Sequence, residues 1–243
     1  MKSISQILRI AKSVIRLESE IIEELTEKLN DNFAKAVQLI LSSNGRVIVA
    51  GVGKSANIAS KIVATFNSTG QPAVFLHAAD AIHGDLGNIQ KNDVVICISK
   101  SGNTSEIKYL LPLIKNMGNK IIAICGNKDS YLETQANFVL DASVKKEACP
   151  HNLAPTSSTT AQLVLGDALA ICLLESKNFT DKDFARFHPG GVLGKKLYLK
   201  VSDIVKNNEV PSVQIQDKVQ KVIIEISKKR LGVDGEVEDK EMF

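Results

Sequence analysis

The 243-residue chain contains no tryptophan, only 5% aromatic residues, four cysteines and four histidines. So few aromatics argue against a surface that stacks nucleobases or builds an antibody-like interface. Neither sign of charge dominates: 30 basic against 27 acidic residues leaves a net +3, too balanced to predict nucleic-acid binding. No CxxC, HxH or HxxxH spacing occurs, which argues against a structural zinc site. Cys97, Cys125 and Cys172 lie in the apolar runs VVICIS, IIAICG and LAICLL, the usage of small buried hydrophobes in a reducing cytoplasm. No apolar run reaches the roughly 18 residues that cross a bilayer, and the longest, Leu163–Leu174, is interrupted by Asp167. A secretory h-region is missing from the N-terminus. Acidic residues are absent before Glu18, and Lys2, Arg9, Lys12 and Arg16 give a loose likeness to an organelle transit peptide. Ile4, Leu8, Ala11 and Ile15, continued by Ile22, Leu25 and Leu29, instead share one face of an amphipathic helix. With 44% hydrophobic and 23% charged residues, the composition is that of a globular protein, neither disordered nor collagen-like.

After the helical leader two periodicities alternate. Short β-branched apolar runs occur at Arg46–Ala50, Ala73–Leu76, Val94–Ser99, Lys120–Cys125 and Phe138–Asp141. Helical patterns at Lys54–Asn67, Asn103–Met117 and Ser130–Ala136 separate most of them, and a strong one comes later at Ser157–Glu175. Continuous apolar strands alternating with helices predict an α/β fold: a three-layer, doubly wound, parallel five-stranded sheet. The expected division is a domain over residues 1–200 and a segment over 201–243 that is too small and too acidic at its end to form a core alone.

The first strand–helix junction, RVIVAGVGKSANIASK, fails as a nucleotide-triphosphate loop, because GxxxxGK[ST] needs glycine where Ile48 stands. Gly51, Gly53 and Ala56 satisfy GxGxxA, but Phe75, Leu76 and His77 occupy the place of the ribose-binding acid. There remains a glycine turn entering a helix whose free N–H groups suit an anion, with Lys54 and Ser55 nearby; a plain tight turn is the bland alternative. The third junction, VVICISKSGNTSEIK, sets Ser99, Ser101, Thr104 and Ser105 around Gly102 where a buried strand meets a helix. One hydroxyl there would be a cap. Four exceed what capping needs and form a donor cradle for a phosphate, at strand carboxyl ends where open α/β sheets bind ligands. The acidic Mg²⁺ ligands of a kinase are missing, so a phosphorylated small molecule is the expected ligand.

Glu106 succeeds the cradle at a helix start, where a carboxylate is often only a dipole partner. Glu147 lies in KKEACPHNLAPTSST, a loop rich in proline and polar groups that runs into a Thr/Ser cluster opening a helix, a pattern more typical of a site than of a linker. His83 in AIHGDLG and His188 in FHPGG occupy glycine-flanked turns, and His77 lies near the end of the second strand.

Taken in order, GVGKS, HGDLG, SKSGNTSE, EACPHNLAPTSSTT and FHPGGVLGKKL closely resemble the sugar isomerase (SIS) domain of D-arabinose 5-phosphate isomerases, over about residues 1–200. The resemblance implies interconversion of D-ribulose 5-phosphate and D-arabinose 5-phosphate through a cis-enediol, supplying the eight-carbon sugar Kdo. It implies Lys54, Glu106, Glu147 and His188 as the catalytic set, with Glu147 or His188 as base and Lys54 stabilising the enediolate. The implied substrate site comprises Gly53, Ser55, Gly70, Gln71, His77, His83, Ser99, Ser101, Gly102, Asn103, Thr104 and Thr156. No cofactor is required, and His77 matches a position where an inhibitory zinc has been placed. A homotetramer with shared active sites, in which a neighbour lends the FHPGG histidine, is the implied assembly; neither nucleic acid nor membrane is an expected partner.

Relatives of this kind carry two CBS modules after the SIS domain. Val201–Gly232 resembles the opening of the first, so residues 201–243 are expected to be a truncated CBS-like segment or a loosely ordered tail. Two other readings stay open at this level. A non-catalytic phosphosugar sensor would add a helix-turn-helix, for which the leader lacks a basic recognition helix with a turn glycine. A 6-phospho-3-hexuloisomerase would fit the short length but not EACPHNLAPT with FHPGG.

Overall fold

The computed structural model describes residues 2–198 and 212–229. These fall into two compact units, divided within a short helix between Phe184 and Ala185.

The first unit opens with helix α1 (Ile4–Lys28), started by a capping box in which Ser3 accepts from the Gln6 amide and Gln6 accepts from the Ser3 amide. Apolar periodicity alone does not mark where α1 ends. The break is made by Asn30, whose side chain accepts from the Asn32 amide at 2.9 Å and caps a second helix, α2 (Asp31–Ser42). Next come strands β1 (Val47–Gly51), β2 (Ala73–His77), β3 (Val94–Ser99), β4 (Lys120–Cys125) and β5 (Phe138–Asp141), interleaved with helices α3 (Lys54–Ser68), α4 (Ala78–Ala81), α5 (Ser105–Asn116) and α6 (Tyr131–Gln135). Helix α7 (Ser157–Ser176) and the short α8 (Asp181–Phe187) complete the order up to the second unit.

All five strands are parallel in the order β2-β1-β3-β4-β5. The strands are buried on both faces, so consecutive residues feed different cores. Val47, Val49, Ile96, Ile98, Ile122 and Ile124 face a core completed by α1, α2, α3 and α7. Ile48, Ala50, Val95, Cys97, Ile121 and Ala123 face one completed by α4, α5 and α6. This is the three-layer, doubly wound architecture expected from the alternation. The winding reverses between β1 and β3, and the crevice at their carboxyl ends is where such sheets take ligands.

Helix α7 is long and apolar enough to span a bilayer by length and composition. Ala161, Leu165, Leu169, Ala170 and Leu173 are instead buried in the α1–α3 core. It packs tightly on α3 at Gly166, where a Cβ would lie 2.3 Å from the end of the Ile62 side chain. Cys97 and Cys125 are buried as expected, whereas Cys172 is only half-buried; all four cysteines are free. Burial pushes the Cys97 thiol up to about 12, which keeps it unreactive.

The second unit holds helices α9 (Val192–Tyr198) and α10 (Val219–Lys229). Most of the expected 201–243 segment lies outside the described residues.

Candidate active site

At the carboxyl ends of β1 and β3 a cavity of about 290 Å³ is lined from three directions: by Lys54 and Ser55 of α3, by Ser99, Lys100, Ser101 and Thr104 after β3, and by Ser158 and Thr159 of α7. Each of these helices begins with an N-cap residue whose side chain makes no cap bond: Gly53, Thr104 and Thr156. Three helix N-termini with their positive dipole ends therefore border one cavity, an arrangement for anions; the α7 amides are taken by the Glu147 carboxylate, and those of α3 and α5 face the cavity's cradle side.

Why the hydroxyls do not cap is visible in the cradle. Ser99 Oγ accepts from the Gly102 amide at 3.0 Å and lies 2.9 Å from Thr104 Oγ1. Ser101 Oγ accepts from the Asn103 amide at 3.2 Å and sits 3.5 Å from Thr104 Oγ1. The hydroxyls hold one another and the loop, which curls because Gly102 adopts a φ of +63°. A Cβ at Gly102 would lie 2.1 Å from Ser130 Oγ and 2.7 Å from Cys125 Sγ, so only glycine passes. The neighbouring residues are accounted for separately: Asn103 Oδ1 accepts from the Tyr131 amide at 3.1 Å, and Ser105 Oγ turns away to donate to Glu106 Oε2 at 2.8 Å, outside the cradle. Gly53, with φ 57° and ψ −125°, uses a conformation nearly closed to other residues. Ser55 Oγ donates to Gln162 Oε1 at 3.1 Å, tying α3 to α7 behind the cavity.

Glu147 is 3% exposed. Its loop folds around it: the Glu147 amide donates to Asn152 Oδ1 at 2.7 Å, with Asn152 in a left-handed conformation, and the Ala148 amide donates to Thr156 Oγ1 at 2.9 Å. Oε2 accepts from the Thr156 amide, the Thr156 hydroxyl and the Ser158 amide at 2.9, 3.2 and 3.1 Å. Oε1 lies 2.6 Å from Lys100 Nζ but receives no well-directed hydrogen bond, so this contact is an ion pair by proximity. Burial alone would raise the carboxyl; Lys100 and the Thr156 and Ser158 donors outweigh it and hold the group at about 2.

Glu106 stands half-exposed in the first turn of α5, and its own amide, Ser105 and His77 all draw its carboxyl below the usual range. His77 ends β2 with Nδ1 at 3.6 Å from Asp80 Oδ2. Among the described residues no group of three or more His, Cys, Asp or Glu side chains is arranged to hold a metal ion. His83 is exposed in the turn after α4. Gly70 and Gln71, expected at the substrate, are not brought to the cavity by a single chain. They lie where α3 turns into β2, at the opposite ends of the strands: Gly70 backs onto the Phe179 ring, and Gln71 Oε1 accepts from Lys177 Nζ at 2.6 Å. His188 belongs to the second unit, where the Gly191 amide donates to its carbonyl at 3.1 Å and any Cβ at Gly194 would lie 2.2 Å from that carbonyl, which accounts for the FHPGG…G spacing.

Lys100 is the residue that sequence reasoning passed over. Its signal was modest, a lysine inside the serine cradle, and its partner is 47 positions away.

The SIS domain model matches residues 40–172. The arabinose 5-phosphate isomerase KdsD of Francisella tularensis is 54% identical over 226 residues, covering 91% of this chain and 69% of that protein. Its counterpart in Pseudomonas aeruginosa is 50% identical, covering 92% and 69%. Among solved structures, an Escherichia coli CFT073 protein in complex with arabinose 5-phosphate superimposes with a TM-score of 0.75 at 41% identity, covering 77% of this chain and all of that one.

Proposed function

Because the chain belongs to the SIS-domain arabinose 5-phosphate isomerases, we propose that the cavity at the β1–β3 crevice interconverts D-ribulose 5-phosphate and D-arabinose 5-phosphate, the aldose phosphate serving Kdo synthesis. The observation that carries this reading is the convergence of three helix N-termini and the Ser99–Thr104 cradle on one cavity that also borders Lys54 and the buried Glu147 loop. The cradle takes the phosphate through hydroxyl and backbone donors. That fixes the sugar's carbonyl end, where a base removes a proton from C1 of the ketose. The resulting cis-enediolate is reprotonated at C2 to give the aldose; every atom is conserved, so no redox cofactor enters the balance.

Lys54 is suited to stabilise the enediolate oxygen, since no acidic side chain lies within ion-pair distance of it among the described residues. Glu106, whose carboxyl is drawn down by its own amide, Ser105 and His77, is the candidate of this proposal for proton transfer at the hydroxyls. The base is Glu147 or His188. In the resting site Glu147 is too weakly basic to match neutral pH, so its use as base needs its partners to change.

Assembly as a homotetramer, with His188 shared between subunits, belongs to the same proposal. The strongly exposed Ile4 and Ile15 on α1 supply an apolar stripe for it. Four free thiols suit the cytoplasm. Incubation with ribulose 5-phosphate and separately with a 6-phosphohexulose tests the reading: turnover of the pentulose phosphate to the arabinose epimer is expected. Turnover of the hexulose alone, or binding of either without turnover, would refute it.

A further inference from the structure

The proposed isomerase reading leaves one charged contact unexplained. Lys100 places its Nζ 2.6 Å from a carboxylate oxygen that is otherwise unpartnered, yet its side chain is 45% exposed and lines the cavity between Ser99 and Ser101. Its backbone is fixed: the Lys100 carbonyl accepts from the Gly126 amide at 3.2 Å, and a Cβ on Gly126 would lie 2.9 Å from that oxygen. A pinned backbone with a half-exposed, four-carbon stem confines movement to the ammonium, a point charge whose donors rotate freely. The two oxygens of Glu147 also differ. Oε2 is locked by donors of α7, while Oε1 depends on Lys100 alone.

We propose that Lys100 is the exchangeable cation of this site: it pairs with Glu147 Oε1 before substrate arrives and moves to the substrate phosphate in the Ser99–Thr104 cradle, leaving Oε1 open to the sugar. The inference rests on the isomerase reading for the identity of the phosphate's owner, but not for the phosphate itself. A phosphate dianion offers Lys100 more charge than one carboxylate and lies on the solvent side of its reach, so exchange is favoured. Once the cation has left, Glu147 becomes a stronger base in the presence of substrate only.

Inorganic phosphate is the probe, read by the rise it causes in melting temperature and, independently, by competitive inhibition of turnover. Lys100→Met should weaken phosphate binding about tenfold, the worth of one charge-assisted contact, and raise KM more than it lowers kcat. Lys100→Arg should keep most of the affinity. Glu147→Gln should tighten phosphate about threefold, because a screened competitor for the same ammonium has been removed. Unchanged phosphate affinity in Lys100→Met, or weaker affinity in Glu147→Gln, would overturn the proposal. If Lys100→Met fails to fold, the double variant Lys100→Met/Glu147→Gln, which leaves no buried charge unpaired, should fold and still bind phosphate weakly; wild-type affinity in it overturns the exchange. The melting readout needs no turnover. Phosphate binding that depends on Lys100 in a protein inactive on ribulose 5-phosphate would therefore refute the isomerase reading alone.

Discussion

Thr156 occupies the N-cap of α7, yet its amide and hydroxyl both donate to Glu147 Oε2, at 2.9 and 3.2 Å, so a carboxylate nine residues upstream caps this helix. One group thus joins three parts of the site: the proline loop, the start of α7 and Lys100.

Glu147→Gln should therefore cost stability as well as activity. With the folded carboxyl at about 2 and the unfolded one at about 4.3, the charged form adds about 3 kcal/mol at neutral pH before solvent screening at the half-exposed Lys100 is discounted. The sign is that of a depressed carboxyl: the stabilisation is complete above about pH 4.5 and disappears as pH falls toward 2. Urea titrations of both proteins at pH 7, 4 and 2.5 should show the gap closing on acidification. A constant gap would assign the effect to shape instead. Turnover at neutral pH should fall about 100-fold or more if Glu147 is the base.

Two glycines bordering the cavity separate strain from collision. At Gly53 a Cβ meets nothing within 4 Å, so Gly53→Ala carries only the strain of its backbone, about 1–3 kcal/mol. Gly102→Ala adds contacts at 2.1 and 2.7 Å with Ser130 and Cys125, both buried. It should abolish phosphate binding or soluble expression, whereas Gly53→Ala should fold with weakened binding. Thermal melts with and without phosphate distinguish them.

Ser99→Ala removes the acceptor of the Gly102 amide and one of the hydroxyls paired with Thr104. The loop keeps its glycine but loses its internal tie. KM for a phosphosugar should rise about tenfold with a smaller change in kcat. An unaltered KM would place the phosphate elsewhere.

Gly166 lies in the middle of α7, away from the loops of the cavity, and tests whether α3 and α7 hold the site by their spacing. A Cβ there would lie 2.3 and 2.4 Å from two carbons of Ile62. Gly166→Val should cost about 1–3 kcal/mol by overpacking and, by parting the helices that carry Ser55 and Gln162, raise KM as well. Gly166→Val with reduced stability and wild-type kinetics would show that the spacing is not used.

The strands were legible because each is a short β-branched run between glycines or caps, and β3, β4 and β5 fall where those runs begin and end. The cradle was legible because its hydroxyls crowd one strand–helix junction. The α1–α2 break hinged on a single asparagine that interrupts no apolar period. Lys100 and Glu147 could not be paired from sequence, since the contact joins the ends of two loops through the fold. Gly70 and Gln71 show the converse. Their place is set by the turn between α3 and β2, which puts them at the far ends of the strands.

Conversion in D₂O tests the proposed chemistry most directly. With D-ribulose 5-phosphate as substrate, NMR should show D-arabinose 5-phosphate accumulating with solvent deuterium at C2, and deuterium entering C1 of the remaining ketose. A folded protein that forms no aldose phosphate would contradict an enediol formed in this cavity.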